Sequence, residues 1–426
     1  MNFFQSPERQ VTRKSAGHDF LAFYTAGTFV RTGRSAQLYD LEAVKAFEQN
    51  LVRQQGLELR PDDFGPYWNP PLFAWVFAPL SLLAYPTAWN VWLALNLICF
   101  AAAATILANI VARAPRPCFQ QLSNNTGEAP VPQKRDWRTW GLVPLLMAVS
   151  MPFIQALGHG QNTCVSLLIV AGTIFLWRDG RSLAAGIVVG LLFYKPQLSA
   201  IVAAALLLSC GWRALAGLAI TGSAVLAATM ISLPGTLAAF FRSLSGNIAY
   251  MQVQHRYLWE RHVTLKAFWR LLMQGYAIGD LTPVTRTLYL ASLALAGALV
   301  LAALLRLRRN RDEISRDRLI ALTIVSMPLL MPFYFDYDLL LLSAAAALVA
   351  REQIVTTRPI ERKTLAMWAA LYFWMIFNPA VAGATRVNGT VLILSLLAGT
   401  MIRRALMGDV AESATTDKIE PLRQAA

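Results

Sequence analysis

The pair His18-Asp19 sets an imidazole beside a carboxylate at the start of the apolar run Phe20–Tyr24. Such a pair can accept and orient a proton, and a positioned base of either type typically speeds a reaction by about 10²–10⁴-fold. Asp19 equally suits the N-cap of a helix, where its oxygen accepts free backbone N–H groups. His18 is the rival base, because its ordinary pKa of about 6.5 lies closer to working pH; otherwise it orients Asp19. Lys195 follows Leu191-Leu192-Phe193-Tyr194 at the edge of an apolar run, where a lysine either snorkels to a membrane surface or offers a point cation to a phosphate. The stretch His255–His262 holds Arg256, Arg261 and His262 among aromatics. Those residues suit a lipid phosphate bound by charge-assisted hydrogen bonds, and equally a basic amphipathic helix lying at head-group level. Asp336 and Asp338 carry the same ambiguity, with helix capping favoured for at least one of them.

These residues need elements to hold them, and composition says which kind. The 426 residues are 56% hydrophobic and 15% charged, with a net charge of +14. A soluble chain is about 45–50% apolar and about 25% charged, so a water-soluble fold is excluded. Apolar runs approaching the roughly 20 residues of a membrane span fall near 86–111, 139–157, 162–177, 182–194, 196–210, 214–232, 284–305, 319–333, 338–350, 363–378 and 388–402. The expectation is an all-α polytopic membrane protein with about eleven transmembrane helices. The N-terminal residues have no apolar core, so they predict neither a signal peptide nor an anchor. Cys99, Cys118, Cys164 and Cys210 show no paired or metal-like spacing and read as small core residues.

The charges orient the set. Arginines and lysines crowd alternate connections, around 113–138, 178–181, 213, 306–318, 351–363 and 403–404. Lys/Arg enrichment marks the cytoplasmic side, which leaves residues 1–85, 158–161, 195–196, the loop 233–283, 335–338 and 378–388 outside. The domains expected are an external N-terminal segment 1–85 with interfacial helices, a transmembrane bundle 86–402, and a cytoplasmic tail 403–426. Residues 70–84, which open on Pro70-Pro71 and are rich in aromatics, read as one helix in the outer interface. Tyr39-Asp40-Leu41-Glu42 reads as the start of a capped surface helix running to about Gln55, its charges a solvated face. Pro115–Arg135 reads as a linker. Asp62-Asp63 is a lone acidic pair, so no metal or other cofactor is called for, and no nucleic-acid motif is present.

Several motifs now gain meaning in order. Asp19–Tyr24 with Leu38-Tyr39-Asp40, Tyr67-Trp68-Asn69-Pro70-Pro71 with Ala78-Pro79-Leu80, Gly158-His159-Gly160-Gln161-Asn162, Ala185-Gly186 to Tyr194-Lys195-Pro196-Gln197, and Tyr337-Asp338-Leu339-Leu340 together resemble glycosyltransferase family 87. The resemblance covers roughly residues 17–345. It implies a C-type glycosyltransferase fold and a polyprenyl-phosphate sugar as donor. It also implies that the early external aspartate, here Asp19, is the catalytic base. Family members have a membrane helix before that aspartate, whereas only eighteen residues precede it here.

The expectation is therefore transfer of a hexose, mannose by default, from a polyprenyl-phosphate sugar to a hydroxyl of a glycolipid or glycan acceptor. It would proceed with inversion, at the outer face of a bacterial inner membrane. Asp19 is the expected base, and His18, Tyr67, Gln161, Lys195, Arg256, Arg261, His262 and Asp338 are the expected substrate-binding residues. The alternative is a transporter or lipid flippase. That class carries ionisable groups at the bilayer midplane and broken helices in related halves, and neither pattern nor an internal repeat stands out in this sequence.

Overall fold

The computed structural model describes residues 10–11, 17–60, 63–112, 137–310, 312–356 and 362–407. Asp62, Cys118, the whole of the expected linker Pro115–Arg135 and the tail beyond Met407 lie outside these residues. The described chain is almost wholly helical, with one two-residue parallel pairing of Gln10–Val11 and Glu58–Leu59.

Helix α1 (His18–Arg31) is buried on nearly every side, wrapped by aromatics such as Phe77, Tyr85, Trp89 and Trp92. It is followed by α2 (Leu41–Gln54), capped as its sequence predicts: Asp40 Oδ1 accepts the N–H groups of Glu42 and Ala43 at 3.1 and 3.2 Å. One charge of α2 departs from expectation, because Glu48 is fully buried rather than solvated. The single interfacial helix expected at 70–84 is instead two 3-10 turns, Pro71–Val76 and Leu80–Leu82. Pro79 stands between them, and its ring and missing N–H interrupt a longer helix.

The bundle follows as α3 (Tyr85–Ala112), α4 (Trp137–Ala148), α5 (Met151–His159), α6 (Thr163–Arg178), α7 (Ser182–Gly190), α8 (Pro196–Cys210) and α9 (Trp212–Ser232). The expected external loop folds into α10 (Thr236–Gln252), a short turn and α11 (Leu265–Gln274). After it come α12 (Pro283–Leu307), α13 (Glu313–Leu330), α14 (Leu342–Thr356), α15 (Arg362–Thr385) and α16 (Gly389–Met407). Five of these, α3, α9, α12, α15 and α16, are long and apolar enough to cross a membrane. The pair α4 and α5, bent by 53°, adds a sixth if it is one broken span. The chain is thus an integral membrane protein.

The other expected runs are shorter helices, such as α6, α7 and α8, or in α13 a helix with four charges in its first six residues. Such helices suit the protein interior, and α13 is buried continuously from Leu319 to Leu329. Close packing of α7 on α9 depends on glycine: a Cβ on Gly186 would lie 2.1 Å from the Ala214 carbonyl oxygen, and one on Gly217 would lie 2.1 Å from that of Leu183. Small residues permit this backbone approach, a recurrent device of membrane helices. Cys99, Cys164 and Cys210 are free thiols.

Candidate active site

A cavity of about 390 Å³ opens where the N-terminus of α1, the start of α6, Lys195, α10 and the segment Pro332–Asp338 converge. Its volume lies in the range of small-molecule sites. Apolar residues of α10, Phe240, Leu244, Ile248 and Met251, recur on one helical face along its wall, while Asp19, Lys195, Arg261 and Asp338 bring charge to a remaining wall that is otherwise largely aromatic.

Asp19 stands in the first turn of α1, and the side-chain capping reading fails there. The cap is Gly17, whose φ of 77° is left-handed, and no side chain caps the helix. Gly17 N–H donates to the Gly158 carbonyl at 2.7 Å, which ties α1 to the end of α5. That end is the left-handed Gly160, where a Cβ would lie 2.2 Å from the Trp89 ring. Freed from capping, the Asp19 carboxylate lines the cavity with its side chain 29% exposed. Gln161 Nε2 donates to its Oδ2 at 2.7 Å, His18 Nδ1 lies 3.3 Å from Oδ1, and His159 Nδ1 lies 4.0 Å from Oδ2.

His18 is buried, and its Nε2 is bonded to the Asp63 carbonyl. A carbonyl only accepts, so Nε2 carries a proton, and Nδ1 must carry a second one to bond an ionised Asp19. Burial works against a charge on His18, yet the hydrogen bond and charge of Asp19 outweigh it and raise the imidazole's pKa. Burial likewise pushes Asp19 up, but the His18 bond and the charges of the two histidines, with Gln161, hold it well below the usual carboxylate range.

The cations come from other elements. Lys195, buried at the start of α8, donates from Nζ to Asp338 Oδ1 at 2.8 Å, and Thr163 Oγ1 donates to the same oxygen at 2.9 Å. Arg261 forks onto Asp336 at 2.9 and 2.8 Å and lies near the stacked rings of Phe335 and Tyr337. Both carboxylates hold cations, and Asp336 Oδ1 also accepts the Tyr337 N–H at 2.9 Å in the first turn of the 3-10 helix, as the capping expectation allowed for one of the two.

Of the residues expected from sequence, Asp19, His18, Gln161, Lys195, Arg261 and Asp338 converge on the cavity. Three do not. Tyr67 is buried beside it, donating its hydroxyl to the Pro70 carbonyl at 3.2 Å and packing on Tyr39; its neighbours Trp68 and Asn69 take the wall position. Arg256 is exposed and lies over the Tyr276 ring at 4.5 Å. His262 is fully buried, bonded through Nε2 to the Tyr257 hydroxyl at 2.9 Å and packed against Phe335. Burial first, and then Lys266 and Arg261, push its pKa down to about 3, so it is neutral. Sequence reasoning passed over Asn162, Gln252 and His159 as site residues, although His159 and Asn162 flank Gln161 in a motif it had singled out; Asp336 it left open between a site role and capping.

The fold and cavity define a helical integral membrane protein with an ionised carboxylate and two paired cations at a pocket near one end of its bundle. A sequence model of glycosyltransferase family 87 matches residues 67–332, and the chain belongs to that family. It is therefore a membrane glycosyltransferase, not a transporter or flippase. No curated protein sequence matches the chain. The matched segment contains Gln161, Lys195 and Arg261; Asp19 precedes it and Asp338 follows it.

Proposed function

We propose that this protein transfers a hexose, mannose by preference, from a polyprenyl-phosphate sugar to an acceptor hydroxyl, with inversion. The observation that carries this reading is Asp19: a partly exposed, ionised carboxylate on the cavity wall, fixed by His18 and Gln161 and with no capping duty. In the proposed step the acceptor oxygen attacks the anomeric carbon and its proton passes to Asp19. The bond from that carbon to the phosphate oxygen breaks, and the phosphate leaves with the electron pair. Attack and departure on opposite faces invert the centre.

An aspartate held below its usual range is a weak base, which suits it to take the proton late, once the attacking hydroxyl has become acidic through bond formation. Lys195 and Arg261 are the cations for the departing phosphate, and preorganised charge of this kind is worth about 3–4 kcal/mol. Each is already paired, so the donor phosphate shares it with Asp338 or Asp336. Those carboxylates keep the cations aimed while the site is empty of substrate. The apolar stripe of α10 suits a lipid-borne donor.

On this reading the fold is of the C type, with the shorter central helices completing about eleven crossings. Residues 1–85 and the cavity lie on the external side of a bacterial inner membrane, with a glycolipid or glycan as acceptor. The test supplies radiolabelled polyprenyl-phosphate sugars to membranes containing the unaltered protein or Asp19→Asn. Transfer by the first and not the second is expected; equal transfer by both removes Asp19 from the mechanism.

A further inference from the structure

The cavity wall holds buried amides that the proposed step leaves unused. Asn162 lines it and is only 1% exposed, and neither its Oδ1 nor its Nδ2 has a hydrogen-bond partner among the described residues. Its two neighbours in sequence are committed, Gln161 to Asp19 and Thr163 to Asp338. Asn162 therefore sits in the chain between the proposed base and the carboxylate that holds Lys195.

Gln252, the last residue of α10, also lines the cavity and is buried. Its Oε1 accepts from Lys266 Nζ at 3.0 Å. An ammonium only donates, so this contact fixes the amide's orientation and leaves Nε2 as the free donor, with no partner among the described residues. Folded chains pair nearly all their buried polar groups, and an orphan calls for an explanation. Here the orphans line a cavity that must take a molecule made largely of hydroxyl groups.

We infer that Asn162 and Gln252 read hydroxyl groups of the transferred sugar, Asn162 through either amide atom and Gln252 through Nε2, and so set which hexose is accepted. The inference rests on the glycosyl-transfer reading above and adds to it the determinants of sugar choice. A site built to bond a substrate hydroxyl rejects the analogue lacking it, because its own polar groups are then left unpaired.

The test uses the full chain in lipid nanodiscs, with membrane extract as acceptor. The donors are polyprenyl-phosphate mannose and glucose, each with its series of monodeoxy analogues. Asn162 makes no side-chain bond, so Asn162→Ala removes none. Gln252→Glu keeps an oxygen for Lys266, whose ammonium balances the new carboxylate charge, and removes the donor. The unaltered protein is expected to discriminate against particular deoxy sugars by about 10–100-fold in kcat/KM. Asn162→Ala should lose a similar factor with the parent sugar and then no longer discriminate at one hydroxyl; Gln252→Glu should do the same at another. Merely structural residues would lower all donors alike. Unchanged deoxy discrimination in both variants overturns this assignment while the transferase reading stands. No transfer from any of these donors by the unaltered protein overturns that reading and this assignment with it.

Discussion

Two groups of buried charge sit at opposite ends of the same helices. At one end of α6, α13 and α14, Arg178 donates to Asp317 at 2.7 Å, and Arg351 donates to both Asp317 and Glu313 at 2.8 Å. Arg318 forks onto Glu352 beside them. About 22 Å away along α6, at a rise of about 1.5 Å per residue, Thr163 and the Asp336–Asp338 turn form the cavity end. Both ends are rich in ion pairs, so ion pairing alone does not mark a site. The difference is space and access. No residue of the first group lines the cavity, and Asp317 is 2% exposed with both its oxygens held by guanidinium groups. The second group surrounds a cavity and includes a carboxylate with more than a quarter of its side chain open. The first group fastens helices; the second is arranged to receive something.

The comparison breaks or sharpens under substitution. The largest effect is expected from Asp19→Asn: turnover should fall by about 10²–10⁴-fold while the thermal midpoint in detergent stays close to that of the unaltered protein. Lys195→Met should lower turnover by about 10²–10³-fold and also destabilise, because Asp338 is left buried without its cation. Asp317→Asn should cost stability on the scale of a broken buried pair, about 3–5 kcal/mol, with turnover per folded molecule nearly unchanged. Loss of turnover in Asp317→Asn as large as in Lys195→Met would erase the distinction between the two ends.

Sequence made the second group largely legible and the first hardly at all. Asp19, Lys195 and Asp338 stand out because charges at the edges of apolar runs are rare, and because they fall within motifs whose order resembles a family. Arg178 and Arg351 read only as topology signals, and Asp317 carried no reading at all; that they pair across three helices depends on helix rotation, which charge counting does not fix. The long helices were legible from their unbroken apolar runs. The 3-10 turns at 71–82 were not, since hydropathy does not register the break at Pro79. Tyr67 and His262 were misplaced for a related reason: in a compact turn, adjacent residues point opposite ways, and the motif does not say which one faces the cavity.

Glu48 belongs to neither group and tests what an unpaired buried carboxylate does. Its Oε2 accepts the Gly65 N–H at 2.8 Å, and Gly65 lines the cavity. Burial pushes its pKa from 4.5 up to about 8, against the opposing effects of that bond and of the His18 charge. The folded state thus keeps a proton that the unfolded chain gives up near pH 4.5. This contribution to stability is complete below about pH 4.5 and is lost as pH rises through 8, a change of about 5 kcal/mol. Thermal midpoints taken across that range should fall with pH in the unaltered protein and flatten in Glu48→Gln. A slope that survives the substitution would assign the titration elsewhere.

The smallest effect is expected where sequence saw no difference. Arg256 and Arg261 lie five residues apart in one aromatic stretch and read alike as phosphate ligands. In the fold, Arg261 is largely covered and paired with Asp336, whereas Arg256 stacks on Tyr276 at the surface. An exposed cation–π contact is worth about 0.5–1 kcal/mol, so Arg256→Ala should shift stability by no more than that and leave kcat/KM within about twofold, the usual reach of a surface change. Arg261→Ala should lower kcat/KM by at least tenfold more, since it removes a cavity cation and strands the Asp336 charge. Equal losses in the two variants would mean that Arg256 reaches substrate, and that the wall of the cavity extends along the surface as far as Tyr276.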